Sequence, residues 1–243
     1  MVGVSGNFSS LYYPNSSQAT GVYNSRSSGG SAFFSRRMRS RYYVGVNYQY
    51  ENVLAYQSQT TSNQTRSQIQ TVFGFVSIYL KPTLSLSISS GPQHYSATQF
   101  PFPPAASWSP LFMTSLGWQG ERSAAAVSYS RTVSGGGGLN GIFRSNSLSA
   151  SASRQLSRTW TAALSASYGN YDNVTPLFIL SIPGGHTVTG SASLHKSLND
   201  HLNVQFGYSW VQQAYTQVAA SLAPNTNRVS VSLSYQFTRP LQR

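Results

Sequence analysis

The sequence predicts an all-β fold: a single up-and-down antiparallel transmembrane β-barrel of about 12 strands, with short periplasmic turns and long extracellular loops. Three observations lead to this prediction. Segments of about ten residues alternate apolar and small polar side chains, which places the two kinds on opposite faces of a strand. The connections between these segments alternate short and long. Charged residues make up only 8% of the chain, well below their share in soluble proteins.

The alternation is clearest in the last segment. Every odd position from Val229 to Phe237 is apolar, and every even position is Ser or Gln. In a soluble sandwich the apolar face would form the core. A soluble chain of this size would also cover its surface with Lys and Glu, which are scarce here. We therefore expect the apolar face to contact lipid and the serine-rich face to contact water.

We predict twelve strands from the alternation and the intervening turn residues. They span 1–11, 29–38, 42–56, 66–80, 83–95, 111–119, 122–133, 142–155, 159–171, 186–197, 202–214 and 228–238.

The connections between these strands sort by length. Short ones contain Arg39–Ser40, Lys81–Pro82, Gly120–Glu121, Leu156–Arg158 and Leu198–His201. The others are longer and rich in Gly, Pro, Ser and Asn. This rhythm is typical of outer-membrane barrels, whereas a Greek-key sandwich has connections that cross between its sheets. The predicted location is the bacterial outer membrane.

The side chains that face inward are predicted to be mostly hydroxyls and amides. A twelve-stranded interior is too wide for such small side chains to fill, so we expect an open, hydrated lumen. The candidate lumen-lining residues are Ser85, Ser87, Ser89, Ser147, Ser149, Ser165, Ser167, Ser191, His195, Gln205, Ser232 and Gln236.

Aromatic residues gather toward the ends of the predicted strands. Two aromatic girdles are expected where rings meet the lipid headgroups, although strands favour aromatic residues in any case. The candidate girdle residues are Tyr42, Tyr50, Tyr79, Trp118, Trp160, Tyr168, Trp210 and Phe237.

The final strand with Phe237 resembles the C-terminal insertion signal of bacterial outer-membrane β-barrels, although Thr238 to Arg243 follow it. The stretches 107–110, 115–120, 183–188 and 235–241 resemble a family of uncharacterised, porin-like bacterial outer-membrane barrel proteins. This resemblance covers most of the chain from about residue 29. It implies the fold, the location and insertion by the barrel-insertion machinery through the C-terminal strand. It assigns no activity and no functional residues.

The N-terminus alternates like a strand from Met1 to Phe8 and lacks the pattern of a signal peptide. No apolar run is long enough for a transmembrane helix. We therefore expect residues 1–243 to form one outer-membrane barrel domain that lacks its signal peptide, and we leave open whether further strands precede Met1.

The net charge is +12, and most of the Lys and Arg residues lie at the predicted rims. Single-strand nucleic-acid binders interleave aromatic and basic residues along one groove, which this chain does not do, so we expect no nucleic-acid partner. The expected partners are outer-membrane lipid, the insertion machinery and small solutes.

The function that the sequence favours is a passive pore for small polar solutes, with anions as one option. A plugged structural or adhesive barrel is the alternative. A Ser-His lipid hydrolase is a weaker one, because only His195 lies well inside a strand and no acid lies near it in sequence. We expect no enzymatic activity, no cofactor and no metal.

Overall fold

The chain folds into one antiparallel sheet whose strands lie side by side in chain order. The computed structural model describes residues 1–12, 24–56, 64–99, 103–135, 142–174, 184–199, 201–215 and 225–235. Within these residues, no helix is long and apolar enough to cross a membrane. The strands are β1 (Val2–Leu11), β2 (Asn24–Arg39), β3 (Tyr42–Tyr56), β4 (Gln64–Lys81), β5 (Leu84–Gln99), β6 (Ala105–Gln119), β7 (Ser123–Gly135), β8 (Ile142–Gln155), β9 (Trp160–Asn173), β10 (Gly185–Ser197), β11 (Leu202–Tyr215) and β12 (Asn225–Tyr235).

The predicted fold class, an all-β sheet of twelve up-and-down antiparallel strands, is confirmed. The strand ends at the short turns agree with the prediction within two residues. The largest difference lies at a long connection, where β5 continues to Gln99 and β6 begins at Ala105. Pairs such as Tyr95 with Ser107 extend this ladder, and residues before a proline favour extended backbone. The predicted end of β12 at residue 238 lies outside the described residues.

The two faces of the sheet differ in chemistry, as a period of two requires. Ser77, Ser87 and Ser115 face one another across β4, β5 and β6, while Ile78, Leu86 and Leu116 do so on the opposite side. We call these the serine face and the apolar face. The register keeps each face continuous through most of the sheet, because a shift of one residue would exchange the two sets.

Two prolines interrupt the ladders near the long-loop ends. The β6–β7 ladder stops at the pair Phe112–Arg131, just before Pro110 would pair with Val133. The β4–β5 ladder has a gap beside Pro92. Proline has no N–H to donate, so it cannot complete a ladder on that side. Gly91 lies in the same gap, where a Cβ would collide with the carbonyl oxygen of Val72.

Beyond the end of the β6–β7 ladder, the last residues of β7 pack over the serine face of β4 and β5. A buried cluster forms there from Ile69, Tyr95, Ala97, Val133 and Ile142, with Val174 packed against it. Gly135, at the end of β7, packs closely against β3, since a Cβ built on it would be 2.6 Å from Cγ2 of Val53. The buried core of the described residues therefore sits at the long-loop end of β3 to β8.

The sheet has two edges. Among the described strands, the paired order runs from β1 to β12, and no ladder joins these two to each other. Both edge strands keep the alternation, with Val4 on the apolar face of β1 and Leu233 on that of β12. Each edge carries a row of backbone N–H and C=O groups without a strand partner.

Candidate functional site

Most of the predicted lumen residues lie on the serine face and pair with one another across neighbouring strands. The hydroxyl oxygens are 2.9 Å apart between Ser77 and Ser87 and 2.7 Å apart between Ser165 and Ser191. Similar contacts join Ser128 to Ser149, Ser130 to Ser147 and Ser167 to Thr189. Each such contact uses one hydrogen and one lone pair, so every hydroxyl pair can still bond to water or a solute.

The remaining predicted lumen residues occupy the same face. Ser85 is bonded to the carbonyl oxygen of Gly117, at 3.5 Å, and Ser89 lies opposite Met113. His195 faces Gln205, which in turn faces Ser232. Gln236 lies outside the described residues.

A cavity of about 560 Å³ lies at the short-turn end of the sheet. Hydroxyls of the serine face line it together with alanines and with larger side chains such as Leu84, Trp118 and Leu164. It is large enough for several water molecules or a small solute. The serines around it are Ser85, Ser151, Ser153, Ser165, Ser191 and Ser193.

The long-loop end of the serine face on β4 and β5 is filled instead of open. Ile69 is 3% exposed, Tyr95 is 5% exposed and Ile142 is fully buried. These side chains come from the strands that form the wall. The signal was present in the sequence, since Ile69 and Tyr95 occupy positions of the alternation at which serines stand elsewhere in β4 and β5.

Gln93 anchors this filled region to β7. Its amide Nε2 donates to the carbonyl oxygen of Val133 at 2.7 Å, and the N–H of Val133 donates to its Oε1 at 2.8 Å. The side-chain amide thus forms hydrogen bonds with both backbone groups of Val133. If the β6–β7 ladder continued, Val133 would lie opposite Pro110 instead. Both bonds are buried, where an unpaired backbone group is costly.

The aromatic residues predicted for the girdles lie on the apolar face, with one exception. Trp160 pairs with Lys196, whose Nζ lies 4.9 Å from the ring centroid, and Nε1 of Trp210 donates to Asn225 at 2.9 Å. Tyr79 lies on the serine face opposite Ser85, so its predicted place in a girdle is wrong. Parity decides this, because Tyr79 is two residues from Ser77. Tyr42, Tyr50, Trp118 and Tyr168 are on the apolar face, and Phe237 lies outside the described residues.

Among the described residues, no acidic side chain is a cross-strand neighbour of His94 or His195. His195 has Thr161 and Gln205 as its cross-strand neighbours. His94 contacts Trp108 on the apolar face, with ring centroids 4.8 Å apart. Within the part of the chain that the structure describes, no group of three His, Asp or Glu residues could hold a metal ion.

No family model and no curated protein matches the chain. Among solved structures, it is similar to the FrpB iron transporter from Neisseria meningitidis (F3-3 variant), at 12% identity over 90% of this chain and 41% of that chain, with a TM-score of 0.64. It is also similar to BamA from Haemophilus ducreyi lacking POTRA domains 1–3, at 11% identity over 89% and 58%, with a TM-score of 0.60. A third match is the copper transporter OprC, at 10% identity over 97% and 47%, with a TM-score of 0.62.

These structures are bacterial outer-membrane β-barrel proteins, so the fold of that class, which the sequence resemblance implied, is confirmed. The location predicted from the sequence, the bacterial outer membrane, is that of all three. Identities of 10 to 12% carry the fold alone. The chain spans about two-fifths of the length of the FrpB chain that it matches.

Proposed function

We propose that this chain forms a β-barrel in the bacterial outer membrane and acts as a passive channel for small polar solutes. The observation that carries the proposal is the continuous row of paired hydroxyls on one face, beside a cavity of about 560 Å³. Such a wall offers hydrogen bonds without a fixed charge that would hold a solute tightly. FrpB is an iron transporter and OprC is a copper transporter, which supports a transport role for a chain with this fold.

Conductance in planar lipid bilayers tests the proposal. The folded chain, added from detergent, is expected to give discrete current steps, because a passive channel lets ions cross between the two aqueous sides. Detergent alone and heat-unfolded protein are the controls. If the folded chain gives no more current than these controls, the channel proposal is refuted.

Selectivity tests whether the serine-lined cavity lies on the conduction path. We expect Ser191→Glu to lower the anion-to-cation permeability ratio about twofold or more, because a carboxylate in a narrow hydrated cavity raises the local cation concentration. Ser191→Gln adds similar bulk without charge and serves as the matched control. Reversal potentials across a salt gradient give the ratio. Equal ratios for the two variants would place the path elsewhere.

The filled long-loop end of β3 to β8 favours the alternative, a plugged barrel. We expect Tyr95→Ala to raise the conductance about twofold, because removing a buried ring from the cluster widens the interior. Tyr168→Ala removes the same side chain from the apolar face and is the control. An unchanged conductance in Tyr95→Ala would mean that the cluster does not limit flow.

The proposed partners follow from the same two faces. The apolar face would contact lipid, with Trp160 and Lys196 at the headgroups near the short turns. The final strand would be the segment that the barrel-insertion machinery recognises. We do not propose catalysis, because the cross-strand neighbours of His195 are Thr161 and Gln205, and neither is an acid that could orient the imidazole.

A further inference from the structure

Two connected grooves lie on the apolar face of β7 to β12. The larger groove has a volume of about 800 Å³ and the smaller one a volume of about 480 Å³. Leu164, Ala192 and Tyr208 line both, so the two grooves are continuous. Their volumes lie in the range of ligand-binding pockets.

Small residues form the floor of the larger groove. Ala150, Ala166 and Gly190 are successive cross-strand neighbours on β8, β9 and β10. The same row ends in the larger side chains of Val127 on one side and Trp210 on the other. The surface of the sheet is therefore recessed between these two side chains.

Two aromatic rings form the wall of the larger groove on the side of β11. The hydroxyl of Tyr208 donates to Oδ1 of Asn227 at 2.7 Å, and Nε1 of Trp210 donates to Oδ1 of Asn225 at 2.9 Å. Because both polar groups are bonded within the protein, the two residues contribute mainly ring surface to the groove. In a bilayer, acyl chains suit such a recess better than water, which needs polar partners, or than an empty space, which loses dispersion contacts.

Two cations lie on the same face at the short-turn end of the grooves. Arg154 is two residues from Ala152, which lines the larger groove, and its cross-strand neighbour Ala162 lines the smaller one. Lys196 is two residues from Leu194, which also lines the smaller groove. Residues two apart on a strand share a face, so both cations adjoin the apolar lining.

Trp160 lies between the two cations. It is the cross-strand neighbour of Lys196, whose Nζ lies 4.9 Å from the ring centroid. It is also the diagonal neighbour of Arg154, a spacing that long side chains bridge. Tryptophan rings favour the level of the lipid headgroups. The turns and strand ends at this place carry a positive sum of charges, from Arg122, Arg154, Arg158 and Lys196 against Glu121 and Asp200.

We propose that this surface binds one anionic phospholipid, with the phosphate group at Arg154 and Lys196 and the acyl chains in the two grooves. Basic side chains near a membrane surface attract anionic lipid. From Arg154 the chains would pass Ala152 and Ala150, which leads from the short-turn rim toward the middle of β8.

The site rests on the outer-membrane placement of the apolar face, which is part of the proposed function, and it does not rest on conduction. Current steps without selective lipid binding would refute this site alone. Selective lipid binding without current steps would refute the channel alone.

Native mass spectrometry of the folded full chain in detergent tests the site. Dioleoyl phosphatidylglycerol is the anionic probe, and dioleoyl phosphatidylcholine is a zwitterionic probe with the same acyl chains. We expect one molecule of phosphatidylglycerol to bind about tenfold or more tightly than phosphatidylcholine. Arg154→Gln and Lys196→Gln should each weaken the binding of phosphatidylglycerol about fivefold.

Arg36→Gln and Lys81→Gln are the matched controls for these two variants. Each removes a cation from the same face near the short turns, but Arg36 lies opposite Val44 and Lys81 opposite Leu84, away from the grooves. Equal affinities for the two lipids would overturn the proposal. Equal losses in the variants and their controls would also overturn it, because the rim would then attract anionic lipid without a site.

Ala150→Leu tests the larger groove. We expect it to weaken the binding of both lipids about threefold or more, because the added side chain occupies the space of an acyl chain. Ala32→Leu is the control, since Ala32 is exposed on the apolar face of β2. Equal binding by these two variants would contradict the placement of the acyl chains. A lipid-free dimer that Ala150→Leu dissociates would overturn the proposal, because a second copy would then fill the grooves.

Discussion

Gln93→Leu is expected to lower the free energy of unfolding by about 2–4 kcal/mol, because it leaves two buried backbone groups unpaired. Leucine has nearly the volume of glutamine but can neither donate to the carbonyl oxygen of Val133 nor accept from its N–H. Pro110 lacks the N–H to replace the donor that is lost. The end of β7 should therefore separate from the serine face.

Urea unfolding in lipid vesicles, followed by tryptophan fluorescence, measures this change. Gln70→Leu is the matched control, since Gln70 lies exposed on the neighbouring strand β4. We expect the control to change stability by less than about 0.5 kcal/mol. Equal stability of the two variants would show that the Gln93 amide does not hold β7 in place.

Ile142→Ala is expected to destabilise the fold by about 2–5 kcal/mol. Ile142 is fully buried in the cluster with Ile69, Tyr95 and Val133, so its truncation leaves a cavity that close packing cannot quickly fill. The loss should appear as a lower urea midpoint with an unchanged dependence on urea.

Leu148→Ala is the control for this variant. Leu148 is also on β8 and lies on the same face of that strand as Ile142, but it is 50% exposed. Its truncation removes contacts with the surroundings and leaves no enclosed cavity. A cost for Ile142→Ala no greater than that for Leu148→Ala would contradict the assignment of the cluster as the core.

The number, direction and faces of the strands could be predicted because they depend on local pattern. Alternation along nine residues decides which side of a strand Ser230 or Val231 occupies, whatever lies far away in the chain. The length rhythm of the connections then sets the up-and-down order. Tyr79 was misplaced because it was assigned by its distance from a turn, whereas its parity with Ser77 places it on the serine face.

The buried cluster could not be predicted, because it arises where β7 leaves β6. Pro110 stops the ladder, but a proline in one strand does not tell where the neighbouring strand goes. The destination depends on long-range contacts, such as that of Val133 with Tyr95 and that of Gln93 with the Val133 backbone.

The even number of strands has a consequence for the two edges of the sheet. Neighbours alternate in direction, so β1 and β12 run in opposite directions. Within a bilayer, the backbone N–H and C=O groups along both edges need hydrogen-bond partners from protein, because lipid tails supply none. A ring made by joining the edges, directly or through an even number of added strands, is antiparallel throughout. An odd number of added strands would force one parallel pair. A ring that is antiparallel throughout must therefore contain an even number of strands.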